Sequence, residues 1–135
     1  MNNSKVFFSS LLVLCAVAWM GTQSAVAGPH ADEAKKHADT ALKHGDEMLE
    51  SGGDMKAFIK HAKATVMHAE EAVKHAEADY KETHNEHVKE FINHTEEGIK
   101  HVKEAIRQAE EDYPDEAMHH AKEGMMHLKE GYKHL

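Results

Sequence analysis

Histidine recurs at every seventh residue in four separate blocks of this chain: His30, His37 and His44; His61, His68 and His75; His87, His94 and His101; His120, His127 and His134. Twelve of the fourteen histidines keep that spacing, and only His84 and His119 stand outside it. Seven residues are close to two helical turns and drift only about 20° on a straight helix, so each triplet stays on one edge of one helix. No stretch of the chain alternates like a strand.

The residues around the histidines complete the helical pattern. With histidine at heptad position g, the third block places Val88, Thr95 and Val102 at a, Phe91, Gly98 and Ala105 at d, and Ile92, Ile99 and Ile106 at e. These positions form one apolar stripe, the signature of a core-facing amphipathic helix. Lysine tends to occupy f, on the far side. Histidine therefore lies on the border of the stripe. Glutamate often takes c, one turn from g, where side chains face each other. The third block reads His87, Glu90, His94, Glu97, His101, Glu104, and the fourth Glu116, His120, Glu123, His127, Glu130, His134. The first block has Glu33 and Glu47 among its histidines, and the second has Glu71 but Ala64 and Ala78 at two c positions.

Imidazole nitrogen with carboxylate oxygen suits Cu(II), Zn(II) or Ni(II). The candidate ligands are the twelve heptad histidines, assisted by Glu71, Glu90, Glu97, Glu104, Glu123 and Glu130. Histidines seven apart rise about 10.5 Å along the axis, too far to share an ion from one helix. A tighter site has to combine the edges of neighbouring helices, and several sites of moderate affinity are expected. A solvated surface would normally use Lys, Glu or Gln, since histidine is a mediocre helix former. The alternative is a pH-responsive helical interaction protein whose histidines control association, because imidazoles titrate near pH 6.5.

Residues 1–27 read as a secretory signal peptide: Lys5, a mostly apolar run from Val6 to Met20, then Ala25, Val26 and Ala27 as a small-x-small cleavage pattern. Leu14 before Cys15 is not the small residue that a lipidation signal requires. Cleavage would leave residues 28–135 as one domain in the periplasm, with no membrane attachment, no cysteine and no tryptophan. The formal charge of −8 becomes −9 when Lys5 is lost. Such an acidic chain suits cations and not nucleic acid. A start at Gly28, Pro29, His30 does not make the square-planar amino-terminal copper site, because Pro29 has no backbone N–H to give up.

Breaks in the repeat divide the domain. The first helix is expected over about 32–50 and ends at Ser51, Gly52 and Gly53. Asp54 caps the second helix, which fades around 79–81. Thr83 with Glu86 has capping-box form and opens the third, while Pro114 sits in the first turn of a fourth that runs nearly to Leu135. Short connections favour an all-α, up-down-up-down four-helix bundle, and a monomer is expected. Its core is thin: Ala31, Ala34, Ala38, Ala41, Leu42, Met48 and Leu49 in the first helix, with Gly124 and Gly131 at d positions of the fourth. Met118, Met125 and Met126 lie among histidines and raise a softer Cu(I) site, although core packing suits Met118 and Met125 better. Glu116 and His119 form the one Glu-x-x-His, where a di-iron bundle needs two. No phosphate loop, haem motif or nucleophile set is present in the sequence, and no enzymatic activity is expected.

The repeats His61-Ala-Lys-Ala-Thr-Val-Met, His68-Ala-Glu-Glu-Ala-Val-Lys, His87-Val-Lys-Glu-Phe-Ile-Asn and His101-Val-Lys-Glu-Ala-Ile-Arg resemble those of the small metal-binding protein family. The likeness covers essentially all of residues 28–135. It implies a periplasmic monomer that binds several divalent ions, copper prominently, and buffers or carries them through its heptad histidines.

Overall fold

The computed structural model describes residues 28–135. The expected signal peptide lies outside the described residues. Four helices follow one another: α1 (Pro29–Glu50), α2 (Met55–Thr83), α3 (Glu86–Glu110) and α4 (Pro114–Tyr132). Each packs on the next, α4 returns to α1, and α2 and α4 lie on a diagonal. Neighbours run antiparallel. His30 faces His75 while His44 faces His61, and Lys63 reaches Glu110 while Lys103 reaches Glu70. This is the expected up-down-up-down bundle, without strands among the described residues. No described helix is long and apolar enough to cross a membrane.

The helix ends show where local chemistry departs from the simple reading. α1 begins at Pro29, three residues before the expected start, because proline's missing N–H costs nothing in a first turn. Asp54 caps α2 as expected, accepting from the Ala57 N–H at 3.0 Å. α2 does not fade at 79–81. It continues to Thr83 and stops where His84 enters the left-handed region, φ 52°, its N–H donating to Tyr80 O at 2.8 Å. His84 thus has a structural role outside the ladder. The capping box at Thr83 does not form. The Thr83 hydroxyl donates to Asp79 O and accepts from the Asn85 N–H, so it closes α2. Asn85 caps α3 through the His87 N–H at 3.0 Å, while Glu86 turns to Lys89. α4 ends at Tyr132, close to Leu135 as expected.

The apolar stripes meet in the centre. Phe58, Met48, Val102 and Met125 anchor one end of the core, and Phe91 and Val88 the other among alanines. In α3, every a and d position is buried, whereas Ile92 and Ile106 at e are only partly so. In α1, Ala34, Ala38, Ala41 and Met48 are buried, while Ala31, Leu42 and Leu49 sit at the margin. Small residues do more than leave the core thin. A Cβ on Gly98 would come within 2.9 Å of Gly124 O, and one on Gly124 within 3.0 Å of Gly98 O. α3 and α4 therefore touch backbone to backbone, and α1 approaches α2 through facing alanines at Ala34, Ala38, Ala72 and Ala76. That closeness positions the histidines.

Candidate metal centre

The heptad histidines interleave across two helix pairs. Between α1 and α2 the rings follow one another as His30, His75, His37, His68, His44, His61, with centroids 5.6–5.9 Å apart. Between α3 and α4 they follow as His87, His134, His94, His127, His101, His120, at 5.4–6.2 Å. All twelve expected histidines belong to one ladder or the other. Eleven are half-buried and His87 is exposed. Antiparallel pairing of two seven-residue repeats produces this order, because each inner ring falls between two of the opposing helix. The Nδ1 atoms of His37 and His68 lie 3.3 Å apart, which requires a donor tautomer on one and an acceptor on the other.

Carboxylates join the ladders in three places. Glu47 Oε2 sits 2.8 Å from His44 Nδ1 and 3.0 Å from His61 Nδ1. Glu90 Oε2 lies 3.0 Å from His134 Nδ1 and 3.7 Å from His87 Nδ1. Glu123 Oε2 lies 3.3 Å from His101 Nδ1 and 3.5 Å from His120 Nδ1. In each group the three ligand atoms lie within 4.8 Å of one another. Two atoms that bind one ion at about 2.0–2.1 Å are separated by at most about 4.2 Å, so small side-chain adjustments bring all three groups onto an ion. The buried Nδ1 of His120 has no hydrogen-bond partner. Glu123 is near enough to attract it but does not align as an acceptor. A buried ring nitrogen left unpaired is costly, and an ion in that group would satisfy it.

The sequence-selected glutamates divide. Glu90 and Glu123 join histidines from two helices. Glu71 turns to Lys74 at 3.5 Å, and Glu97 turns to Lys100 at 2.8 Å with His101 Nε2 at 4.0 Å. Glu104 is held by Arg107 and Gln108, and their hydrogen bonds lower its carboxyl to about 2. Glu130 is held by Lys133, whose hydrogen bond lowers its pKa. Glu47, which is not among the six glutamates expected as ligands, makes the shortest contacts with two rings. The signal for it lies three residues on: Glu50 follows Glu47, where Lys74, Lys100, Arg107 and Lys133 follow Glu71, Glu97, Glu104 and Glu130.

The remaining candidates are plain. Met125 is buried, its sulfur where a Cβ on Gly45 would stand, and Met118 packs on the core. Met126 points to solvent. His119 is exposed, with Nε2 3.5 Å from Glu123 Oε1.

Protonation opposes this packing. Burial pushes the His68 pKa down, and the charges of His37 and His44 push the same way. The folded state therefore takes up that proton less readily than the unfolded chain, whose imidazole titrates near about 6.5. The contribution is fully present above that value and is lost as pH falls from it through the depressed folded value. Glu47, lowered chiefly by its hydrogen bond from His44, acts in a separate window that begins only below the ordinary glutamate value of about 4.3. Metal-free protein should melt at a lower temperature at pH 5.5 than at pH 7.5, and His68→Gln should flatten that slope. Thermal melts of chelator-treated protein at the two pH values check this, and an unchanged slope in His68→Gln would contradict it.

Two interhelical rows of imidazole, met by carboxylates on a closely packed helical bundle, define a metal-binding protein. A family profile described as small metal-binding protein matches residues 5–131. The chain belongs to that family. Searches of curated proteins and of solved structures find no match.

Proposed function

We propose that this protein binds several Cu(II) ions in the periplasm and buffers their free concentration, with Zn(II) and Ni(II) bound less tightly and no reaction catalysed. The observation that carries the reading is the group of His101, His120 and Glu123, where a buried imidazole nitrogen without a partner meets a second imidazole and a carboxylate. Nitrogen and oxygen donors follow the Irving–Williams order, which puts copper ahead of zinc and nickel at one set of ligands. Eight of the twelve rings have two neighbours in their ladder, so ions at adjacent steps compete for those ligands. Occupancy then rises gradually with metal concentration, which is the behaviour of a buffer and not of a single caged site. The residues expected as a signal peptide would place the bundle in the periplasm.

Calorimetric titration of the chelator-stripped protein at pH 7 with Cu(II), then Zn(II) and Ni(II), tests the reading. Several copper ions per chain at micromolar or tighter affinity are expected. Glu123→Ala together with His120→Ala should remove one tight site and leave the α1–α2 ladder unaffected. Protons compete for the same nitrogens, so copper binding undiminished at pH 5 would count against imidazole ligation.

A further inference from the structure

We propose that, for each glutamate that follows a ladder histidine, the residue three positions on decides whether that glutamate serves as a metal ligand, and so sets the number of three-ligand sites. The inference rests on the copper reading above. Glutamate at c lies between histidine at g and the residue at f on the same helix surface, and both sides attract its carboxylate.

Five glutamates have a cation at f, and all five turn to it. They are Glu33 with Lys36, Glu71 with Lys74, Glu97 with Lys100, Glu104 with Arg107 and Glu130 with Lys133. The three glutamates that join histidines from two helices have no cation there: Glu50 follows Glu47, Asn93 follows Glu90, and Met126 follows Glu123. Core packing does not account for Met126, which is 62 % exposed. An apolar residue at that solvated position leaves Glu123 to the ladder.

The middle of the α3–α4 ladder shows the opposite arrangement. His94 and His127 form its widest step, 6.2 Å between centroids, and neither belongs to a three-ligand group. Glu97 lies within electrostatic reach of His127, and Glu130 of His94. Both carboxylates are held outward, by Lys100 and Lys133. The central step therefore has its carboxylates beside it but engaged elsewhere.

The test changes only exposed side chains. Lys100→Met with Lys133→Met should add one tight copper site per chain, counted by calorimetric titration of chelator-stripped protein. Met126→Lys should remove one, and Asn93→Lys should remove another. Lys122→Met makes the same charge change as a single lysine removal but lies at b, so it should leave the count unchanged. Circular dichroism confirms that each variant remains helical. A count unchanged by both sets of substitutions, in a protein whose parent binds copper, overturns the proposal alone. A parent that binds no copper overturns the underlying reading with it. An equal rise in Lys122→Met would assign the effect to net charge and also overturn the proposal.

Discussion

Copper at saturating concentration should raise the melting temperature of the metal-free protein by roughly 20 °C or more, and excess chelator should reverse the rise. The metal-free core has little to hold it. Ala34, Ala38, Ala41, Ala62, Ala69, Ala72 and Ala76 supply most of the α1–α2 seam, and Gly98, Gly124 and Gly131 much of the α3–α4 seam. Such residues remove little apolar area, worth about 25 cal/mol per Å². The ion pairs between helices, such as Lys129 with Asp46, are exposed and add little. A ligand that binds only the folded state contributes about 4 kcal/mol at a thousand times its dissociation constant. Each three-ligand group draws its imidazoles from two helices, and an unfolded chain does not bring those residues together. Scanning calorimetry with and without Cu(II) measures the difference. A shift of only a few degrees at saturation would mean that the ions sit on single helices and do not bridge them.

That bridging is the part of the site least visible in the sequence. A seven-residue repeat reports which face of a helix a side chain occupies, so the core stripe of Val88, Phe91, Thr95 and Val102 and its border of histidines were legible. So were the breaks at Gly52 and Pro114, where backbone chemistry is local. Which edge meets which depends on interhelical distance and stagger, and these arise from packing. The pairing of His44 with His61 across a short turn follows only once α1 and α2 are known to lie antiparallel and close. The start of α3 departs from its sequence pattern for a different reason. Thr83 and Glu86 have the spacing of a capping box, but Asn85 competes for the same role and wins with a side chain already aimed at the His87 N–H. The glutamates were a matter of competition too. Glu104 and Glu123 occupy equivalent positions in their repeats, and their neighbours distinguish them, Arg107 and Gln108 against Met126 and His127.

Gly124→Leu should lower the melting temperature by about 10 °C and weaken copper binding at the α3–α4 ladder at least tenfold, with the α1–α2 ladder retained. A Cβ at this position would stand 2.6 Å from Val102 Cγ2, 3.0 Å from Gly98 O and 3.1 Å from Val102 N. The first neighbour is a side chain and can shift. The other two are backbone atoms of α3, so relief requires the helices to separate. Leaving glycine behind in a helix gains about 1 kcal/mol of propensity, but alanine carries the same clashing Cβ, so the leucine effect is measured against the unsubstituted protein. Overpacking costs about 1–3 kcal/mol and opposes that gain. Separation also moves His127 and His120 away from His94 and His101, whose centroids now lie 5.4–6.2 Å apart. Imidazoles that interleave at this spacing lose their common ion when the axes part by even 1 Å or so, because metal–nitrogen distances tolerate only about 0.2 Å. Val102→Ala in the Gly124→Leu background should restore stability only in part, since Gly98 O remains in the way. Calorimetry gives the melting temperature, and copper titration of the same variant gives the site count. A variant that melts earlier but keeps every site would show that the glycines serve packing alone. Loss of both together ties the close approach of α3 and α4 to the chemistry along their shared edge.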